Sequence, residues 1–336
     1  MNIINKGLNS HIFLAIDSRR VVRAECGIDG NWQVATVLAG AEAVTLAADP
    51  NDSNMIYAGT QGNGIYRSTD CGRSWSSLGL AGQIIKSIAV SPHDPGVIYA
   101  GAKPATVYKT SDGGRHWTEL TGFRRIRNHW WWFSPAESPF RAYVNALAVS
   151  PTEPDVVLAG IEFGAVVRSA DGGRTWSAHL PGAMRDCHWL KFHGRDGQWV
   201  YEAGGTGGGA AVSRDGGRTW RQPRGGLGKH YGVTCAADPA QPEVWYAALA
   251  PGPRKAYGRD VEAYLYRASA GSDWQPIGWE PHPMSRMPRA LVTLPDAPGQ
   301  LFVGTTYGDV MHTADYGDSW QKLPIELGGG LSLLVL

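Results

Sequence analysis

The sequence predicts an all-β protein, a single seven-bladed β-propeller of four-stranded blades, and three observations carry that prediction. A short segment recurs five times along the 336 residues, the strands around it keep a constant spacing, and the two chain ends supply strands that complete one another. Repeated four-stranded units at intervals of about 40 to 60 residues are typical of propellers. Closing such a ring also removes the exposed strand edges of an open array.

The recurring segment reads Ser/Thr-x-Asp-x-Gly-x-x-Trp. Its Asp and Gly are turn signals, so the segment is expected to bound strands in every unit. Two degraded copies end at Trp32 and Trp274. The complete copies are residues 68–75, 110–117, 169–176, 213–220 and 313–320.

The spacing of the strands around these turns is constant. Five units have seven residues from the end of the first strand to the second, as from Pro50 to Tyr57. Five have nine residues from the second strand to the third, as from Tyr57 to Tyr66. The runs alternate or are rich in β-branched residues, and Pro, Asp and Gly bound them, as expected of strands. Six such units occupy residues 43–323.

The chain ends predict the seventh blade. Residues 11–38 supply its second, third and fourth strands, and the apolar C-terminus from Leu331 to Leu336 supplies the missing first strand. The ring therefore closes with one C-terminal strand and three N-terminal strands. The predicted blades are, in order, 331–336 with 11–38, then 43–79, 86–120, 143–180, 188–222, 231–277 and 289–323.

Composition narrows the classes of partner. Lys and Arg number 31 against 30 Asp and Glu, which gives a net charge of +1. Without a basic excess, neither nucleic acid nor an anionic membrane is an expected partner. The apolar runs are too short to cross a bilayer or to act as a secretory signal, so we expect a cytoplasmic protein. The four isolated cysteines indicate neither a disulfide framework nor a zinc site.

The recurring segment resembles the Asp-box, or BNR, repeat across nearly the whole chain. The resemblance implies that each Asp caps backbone amides, that the Gly takes a positive φ, and that the Trp packs between blades. We therefore assign these Asp residues to the scaffold rather than to catalysis or calcium binding. Sialidases, sortilin-type receptors, xyloglucan-degrading hydrolases and photosystem assembly factors share this repeat, so the repeat does not choose among their functions.

Two insertions indicate which face of the propeller carries function. The link from Trp117 to Pro151 has 34 residues, whereas four corresponding links between other blades have 17 to 21. The turn from Tyr246 to Tyr266 has 20 residues instead of nine. Both insertions belong to the same rim, and loops longer than a scaffold needs are often functional.

The two insertions differ in chemistry. The first contains four consecutive aromatic residues, which suit stacking on sugars or planar rings, or else a plug over the channel mouth. The second, residues 251–262, is charged and would form one wall of a pocket or a solvated loop. The candidate substrate-binding residues of the first insertion are His129, Trp130, Trp131 and Trp132.

The residues just before each first strand should converge on the propeller axis, namely Glu42, Lys86, Asn145, His188, His230 and Arg289. Histidines in adjacent blades are the best acid/base candidates because the pKa of imidazole lies near neutrality. The candidate catalytic residues are His188, His230, Tyr231 and Asp186. The further candidate substrate-binding residues are Glu162, Arg185, Lys229, Arg286 and Arg289.

The leading hypothesis is an enzyme, a hydrolase or lyase, that binds a small organic or sugar-like ligand in a polar, aromatic-lined pocket. His188 and His230 would transfer protons, Arg286 and Arg289 would hold an anionic group, and Trp130 to Trp132 would stack on the substrate.

Three alternatives stay open. A metal-dependent enzyme would hold a divalent transition metal at the axis through two or more histidines, although no close His spacing supports it. A carboxylate pair would perform glycoside hydrolysis. A non-catalytic scaffold would present the same face to a protein partner. The metal candidates are His129, His188, His230 and His282, and the carboxylate candidates are Glu162, Asp186, Asp260 and Asp309.

Overall fold

The structure is a computed structural model that describes residue 8 and residues 10–222, 225–329 and 332–336. These residues form seven antiparallel sheets, which we call blades 1 to 7. The strands of blades 1 to 3 are β1 Ile12–Asp17, β2 Arg20–Cys26, β3 Trp32–Leu38, β4 Ala43–Ala48, β5 Ile56–Thr60, β6 Ile65–Ser68, β7 Ser76–Gly79, β8 Ile84–Val90, β9 Ile98–Lys103, β10 Thr106–Thr110 and β11 Thr118–Glu119.

Blades 4 to 7 follow in chain order, and the last strand returns to blade 1. Their strands are β12 Val144–Val149, β13 Val157–Ile161, β14 Val166–Ser169, β15 Cys187–Phe192, β16 Val200–Gly204, β17 Ala210–Ser213, β18 Tyr231–Ala237, β19 Trp245–Ala250, β20 Tyr264–Ala268, β21 Gln275–Ile277, β22 Pro288–Val292, β23 Leu301–Thr305, β24 Asp309–Thr313, β25 Gln321–Glu326 and β26 Leu333–Val335. The helix α1 is Pro253–Tyr257, and 3-10 helices span Thr121–Arg125 and His129–Trp131. No helix among the described residues has the length and apolar character needed to cross a bilayer.

The predicted seven-bladed propeller and its closure are confirmed. The first strands of successive blades contact one another around the ring, and β26 contacts both β22 and β4. In blade 1, β26 pairs with β1, and the strand order is β26-β1-β2-β3. The amide of Leu336 donates to the carbonyl of Ile12 at 2.9 Å and the amide of Ile12 donates back at 3.1 Å. Of the predicted closing strand, Leu331 lies outside the described residues.

The outermost strand is irregular in two blades. Five sheets of the described chain have four strands, whereas blades 4 and 5 have three. In blade 5, a single bridge joins Val212 and Arg221 where the fourth strand would run. In blade 4, the Ser177 amide donates to the Arg168 carbonyl at 2.9 Å without extending into a ladder. An outer strand pairs on one side only, so its loss leaves the inner sheet intact.

The repeat turns consume the hydrogen-bonding capacity of their Asp carboxylates. In the third copy, one oxygen of Asp171 accepts from the Thr175 amide at 2.9 Å and from the Ser169 hydroxyl at 2.8 Å, and the other accepts from the Thr175 hydroxyl at 2.6 Å. Hydrogen bonding by Thr175 lowers the pKa of Asp171 to about 2. The Trp176 indole donates to the Gly173 carbonyl at 3.0 Å. These contacts make the carboxylate a structural cap.

The core lies between neighbouring blades, and the same position of the second strand contributes a buried ring in five of them. The second strands of five blades carry a large ring that is at most 1% exposed, and these rings fill the space between neighbouring sheets. Methyl-bearing side chains from the adjacent first strands complete each cluster. The five rings are those of Tyr57, Tyr99, Tyr201, Tyr246 and Phe302.

A β-bulge in the first strand of each of blades 2 to 7 positions the functional site. The register with the second strand shifts by one residue, so that one residue of the first strand has no partner. A bulge bends the strand and re-aims a side chain. The six unpaired residues are Val44, Lys86, Asn145, His188, Val233 and Arg289.

Candidate active site in the axial cavity

All six bulge residues line one cavity at the axis of the propeller. Its volume is about 1100 Å³, large enough for a sugar unit or another small organic ligand. Both insertions reach it, the first through residues 135–137 and the second through α1. The two insertions predicted to share a rim thus contribute to one site. The other polar and aromatic wall residues include Gln61, Tyr143, Glu162, Phe163, Asp186, Trp189, Tyr231 and Tyr257.

Three ionisable side chains converge on this wall, and we call them the trio: Glu162, Asp186 and His188. Glu162 begins the turn after β13, and its amide donates to the Tyr143 carbonyl at 3.0 Å. Asp186 precedes β15, and His188 is the bulge residue of that strand. Nε2 of His188 lies 3.4 Å from Asp186 Oδ2 and 3.9 Å from Glu162 Oε2. Blades 4 and 5 therefore supply one shared cluster.

The backbone fixes the orientation of the His188 ring. Nδ1 lies 2.6 Å from the carbonyl oxygen of Gly232, and since a carbonyl only accepts, Nδ1 carries the proton and donates it. Nε2 is thereby directed at the two carboxylates. The Asn145 amide donates to the carbonyls of Cys187 and His188, both at 3.3 Å, and approaches Glu162 Oε2 at 3.5 Å. The blade 4 bulge thus braces the blade 5 bulge.

Burial sets the electrostatics of the trio. Burial raises the pKa of Glu162 to about 7, and His188 offsets only part of that rise. Burial alone would lower the pKa of His188, but its interactions with Asp186 and Glu162 outweigh this effect and raise it. In the described part of the chain, no Lys or Arg lies within 4.0 Å of either carboxylate, so His188 is their nearest cationic partner.

Tyrosine rings and one arginine form the adjoining part of the wall. The Tyr231 ring lies 4.9 Å from the His188 ring and 6.0 Å from the Tyr257 ring, which it meets edge to face. The guanidinium of Arg289 lies 4.2 Å above the Tyr257 ring. Burial raises the pKa of both tyrosines, so their hydroxyls are neutral donors at physiological pH. This wall offers stacking surfaces and hydroxyl donors to a polar ligand.

The first insertion reaches the cavity through a carboxylate and not through its tryptophans. Glu137 pairs with Lys86 at 2.6 Å and with Lys103 at 3.2 Å, and the Lys103 ammonium also donates to the Glu137 carbonyl at 2.9 Å. Lys86 is the blade 3 bulge residue. These contacts tie the middle of the insertion to the cavity wall.

The aromatic run predicted to bind substrate lies outside the cavity wall. Trp130 and Trp131 are 68% and 69% exposed and stack on each other at 4.6 Å. Trp132 is half-buried against Phe123, and Nδ1 of His129 contacts the Ile126 carbonyl at 3.1 Å. The run therefore does not line the cavity, and its roles in binding or in covering the channel mouth stay predictions.

Four other predicted site residues also lie outside the cavity wall. His230 is exposed, and Arg185 is held at the surface through the Gly164 carbonyl. The Lys229 ammonium lies 4.8 Å above the Tyr264 ring, and Arg286 pairs with Asp309. Of the predicted catalytic and binding residues, the structure brings together His188, Asp186, Tyr231, Glu162 and Arg289.

The sequence-based ring is wrong at two of its six positions. Val44 and Val233, not Glu42 and His230, are the bulge residues of blades 2 and 6. The missed signal is an offset: in five blades, the bulge residue stands six positions before a proline that lies just after the first strand, as Val233 does before Pro239. Counting back from that proline would have identified both valines.

The predicted all-histidine metal set does not form a cluster. His282, for example, bonds the Ile277 carbonyl at 3.0 Å. Within the described residues, the trio is the one group of three or more candidate ligands whose donor atoms all lie within 4.8 Å of one another. If a metal binds this protein, the trio is where it fits.

The fold and site thus define a seven-bladed propeller with a buried acid–histidine cluster in its axial cavity. No family model matches the chain. It is 25% identical over 305 residues to an oligoxyloglucan-reducing end-specific xyloglucanase of Emericella nidulans, a match covering 85% of this chain and 33% of that protein. The chain therefore spans about a third of the length of that relative.

Solved structures with the same fold include GH74 enzymes and YCF48. An ancestral GH74 enzyme superposes with a TM-score of 0.64 at 19% identity, covering 86% of this chain and 40% of that one. YCF48 bound to D1 peptide superposes with a TM-score of 0.58 at 13% identity, covering 84% and 81%. Likeness at this identity establishes the propeller fold alone.

Proposed function

We propose that this protein is a hydrolase that acts on a carbohydrate or sugar-like ligand bound in the axial cavity, with the trio as its reacting groups. One observation carries the proposal: Glu162, Asp186 and His188 converge from two blades onto the wall of a cavity of about 1100 Å³. Perturbed, clustered titratable groups in the main cavity of a fold are typical of catalytic sites. Similarity to a xyloglucanase supports the carbohydrate class.

The arrangement suits hydrolysis because one set of groups orients the His188 ring and a different set is left to react. Gly232 and Asn145 hold the His188 ring and its backbone from behind, which leaves Nε2 and the carboxylate oxygens to face a water or a leaving group. The neutral hydroxyls of Tyr231 and Tyr257 serve as donors to sugar oxygens. Arg289, at the bulge of blade 7, keeps its predicted role toward an anionic group. We also propose that the recurring turns are Asp-box repeats, since the Asp171 carboxylate accepts the hydrogen bonds that the resemblance implies.

The proposal is tested with a panel of aryl glycosides and oligosaccharides, xyloglucan fragments included. Turnover by the wild type should fall at least about 100-fold in Glu162→Gln, Asp186→Asn and His188→Ala, since acid–base or nucleophilic groups contribute factors of this size. His116→Ala, an exposed histidine in a repeat turn, is the matched control. A substrate whose turnover survives all three trio variants would show that the reacting groups lie elsewhere.

Exposed aromatic side chains favour a second function, docking of a protein partner. Trp130, Trp131, Phe133 and Phe140 of the first insertion are all more than half exposed. Contiguous exposed apolar surface marks interaction sites. The double variant Trp130→Ser with Trp131→Ser distinguishes the two functions. It should leave turnover in the cavity unchanged if the patch serves a partner, and lower it if the patch holds substrate.

A further inference from the structure

We propose that the trio binds one divalent first-row transition cation, of the Zn²⁺ or Mn²⁺ class, with an open coordination position facing the cavity. The inference rests on the proposed function for the location of the site, but binding itself is measured without any substrate. It differs from the all-histidine site expected from the sequence, since it takes one imidazole and two carboxylates.

The first argument is distance. Zn²⁺ and similar ions bind imidazole nitrogen and carboxylate oxygen at about 2.0–2.2 Å, so two ligand atoms on one tetrahedral ion lie about 3.4 Å apart. The separation of His188 Nε2 from Asp186 Oδ2 is 3.4 Å, and that from Glu162 Oε2 is 3.9 Å. A direct hydrogen bond from a charged imidazole to a carboxylate would measure about 2.7–2.9 Å. The atoms are spaced as ligands of a shared ion rather than as bonded partners.

The second argument is the direction of the His188 lone pair. Because Nδ1 donates its proton to the Gly232 carbonyl, the neutral ring presents a bare lone pair at Nε2. That lone pair faces carboxylate oxygens, which is repulsive unless a second proton on the ring or a metal cation lies between them; the separations given above suit the cation. Metal-binding histidines commonly donate their other ring N–H to a backbone carbonyl in this way. Gly232, which is outside the trio, therefore acts as the group that sets the ligand tautomer.

The third argument is charge. Glu162, Asp186 and His188 are 5%, 1% and 9% exposed, so both carboxylates are removed from water. Among the residues described by the structure, no ammonium or guanidinium lies within 4.0 Å of them to compensate. Buried charges in proteins are paired or coordinate metals, since isolated ones carry a large desolvation penalty. A divalent cation would balance the two carboxylates while His188 stays neutral.

The donor set selects the class of ion. Imidazole with carboxylates suits Zn²⁺, Mn²⁺ and Fe²⁺, whereas Ca²⁺ takes six to eight oxygens and Mg²⁺ keeps an octahedral shell of oxygens and waters. Three protein ligands leave at least one position for water. The trio lines the cavity, so that position faces the space where substrate would bind. Metal-dependent hydrolases use such a position to hold the attacking water.

The test measures cation binding by the full chain. Protein stripped with a chelator is titrated calorimetrically with ZnCl₂, MnCl₂ and MgCl₂ in separate experiments, and the metal content of untreated protein is measured by mass spectrometry. We expect one equivalent of Zn²⁺ or Mn²⁺ to bind, and Mg²⁺ to bind at least tenfold more weakly. We expect each of three variants to raise the dissociation constant of the cation at least tenfold, namely Glu162→Gln, Asp186→Asn and His188→Gln. The surface variant Glu326→Gln should bind like the wild type.

Two results would overturn the site. One is the absence of saturable binding by folded wild-type protein, which needs no variant. The other is binding that persists in all three trio variants whose circular dichroism matches the wild type. The outcome is separable from the proposed function. Turnover that resists the chelator with no metal bound would refute the cation site and leave proton transfer by His188 as the mechanism. Stoichiometric metal binding with no turnover of any sugar would refute the proposed hydrolase function and leave the cation site.

Discussion

Closure of the ring by the C-terminal strand makes a quantitative prediction about Val335. This residue is 8% exposed, pairs with Phe13 of β1 and packs in the cluster between blades 7 and 1. Val335→Ala removes two buried methyl groups, which costs about 1.6 kcal/mol of transfer free energy. An unrelaxed cavity adds about 1 kcal/mol, so we expect a loss of about 2.5 kcal/mol in the free energy of unfolding.

The same blade supplies a matched control. Val34 lies on its outermost strand, paired with Ala24, and is 46% exposed, so Val34→Ala should cost less than about 1 kcal/mol. Urea unfolding followed by tryptophan fluorescence measures both, and the denaturant midpoint should shift at constant slope. Equal shifts for the two variants, or none for Val335→Ala, would show that the last strand does not hold the ring closed in solution.

Three further predictions concern the repeat turns and the first insertion. Hydrogen bonding lowers the pKa of Asp171 to about 2, so its stabilising effect is complete above about pH 4 and lost as the pH falls through 2; Asp171→Asn should flatten the acid-unfolding curve in that window. Gly114→Ala should destabilise more than Gly113→Ala in thermal unfolding, because both glycines have positive φ but only at Gly114 would a Cβ lie 2.5 Å from Leu78, and equal effects would contradict the packing argument. Glu137→Gln should raise KM with little change in kcat, since it loosens the insertion without touching the trio, and a fall in kcat alone would refute that division.

The fold was predictable because a propeller repeats the same backbone geometry in every blade. The turn residues and the offsets from Pro50 to Tyr57 and on to Tyr66 report hydrogen-bonding geometry, which is local and therefore visible in sequence. The irregular fourth strands of blades 4 and 5 were not visible. An outer strand has one neighbour and little burial, so tertiary context decides whether its ladder forms.

The site was predictable in part, for the same reason. Its rim and the axial positions of Lys86, Asn145, His188 and Arg289 follow from the repeat. The prediction chose His230 instead of Val233 because it counted from the start of the strand, whereas the position of the bulge is constant relative to the end of the strand. The distances of 3.4 and 3.9 Å from His188 to Asp186 and Glu162 depend on how two blades pack, which no periodicity encodes.

The bulge explains how a repetitive scaffold acquires a specific site. Its geometry is a property of the backbone, since the two strands pair normally on either side of the extra residue. The strand pairing consequently does not depend on the side chain there, and the six positions carry Val, Lys, Asn, His, Val and Arg without any change in the ring. Reacting groups come together where a bulge side chain contacts a polar residue in a turn of the preceding blade. His188 meets Glu162 in this way, whereas Val233 in the next blade brings no second reacting group to the axis.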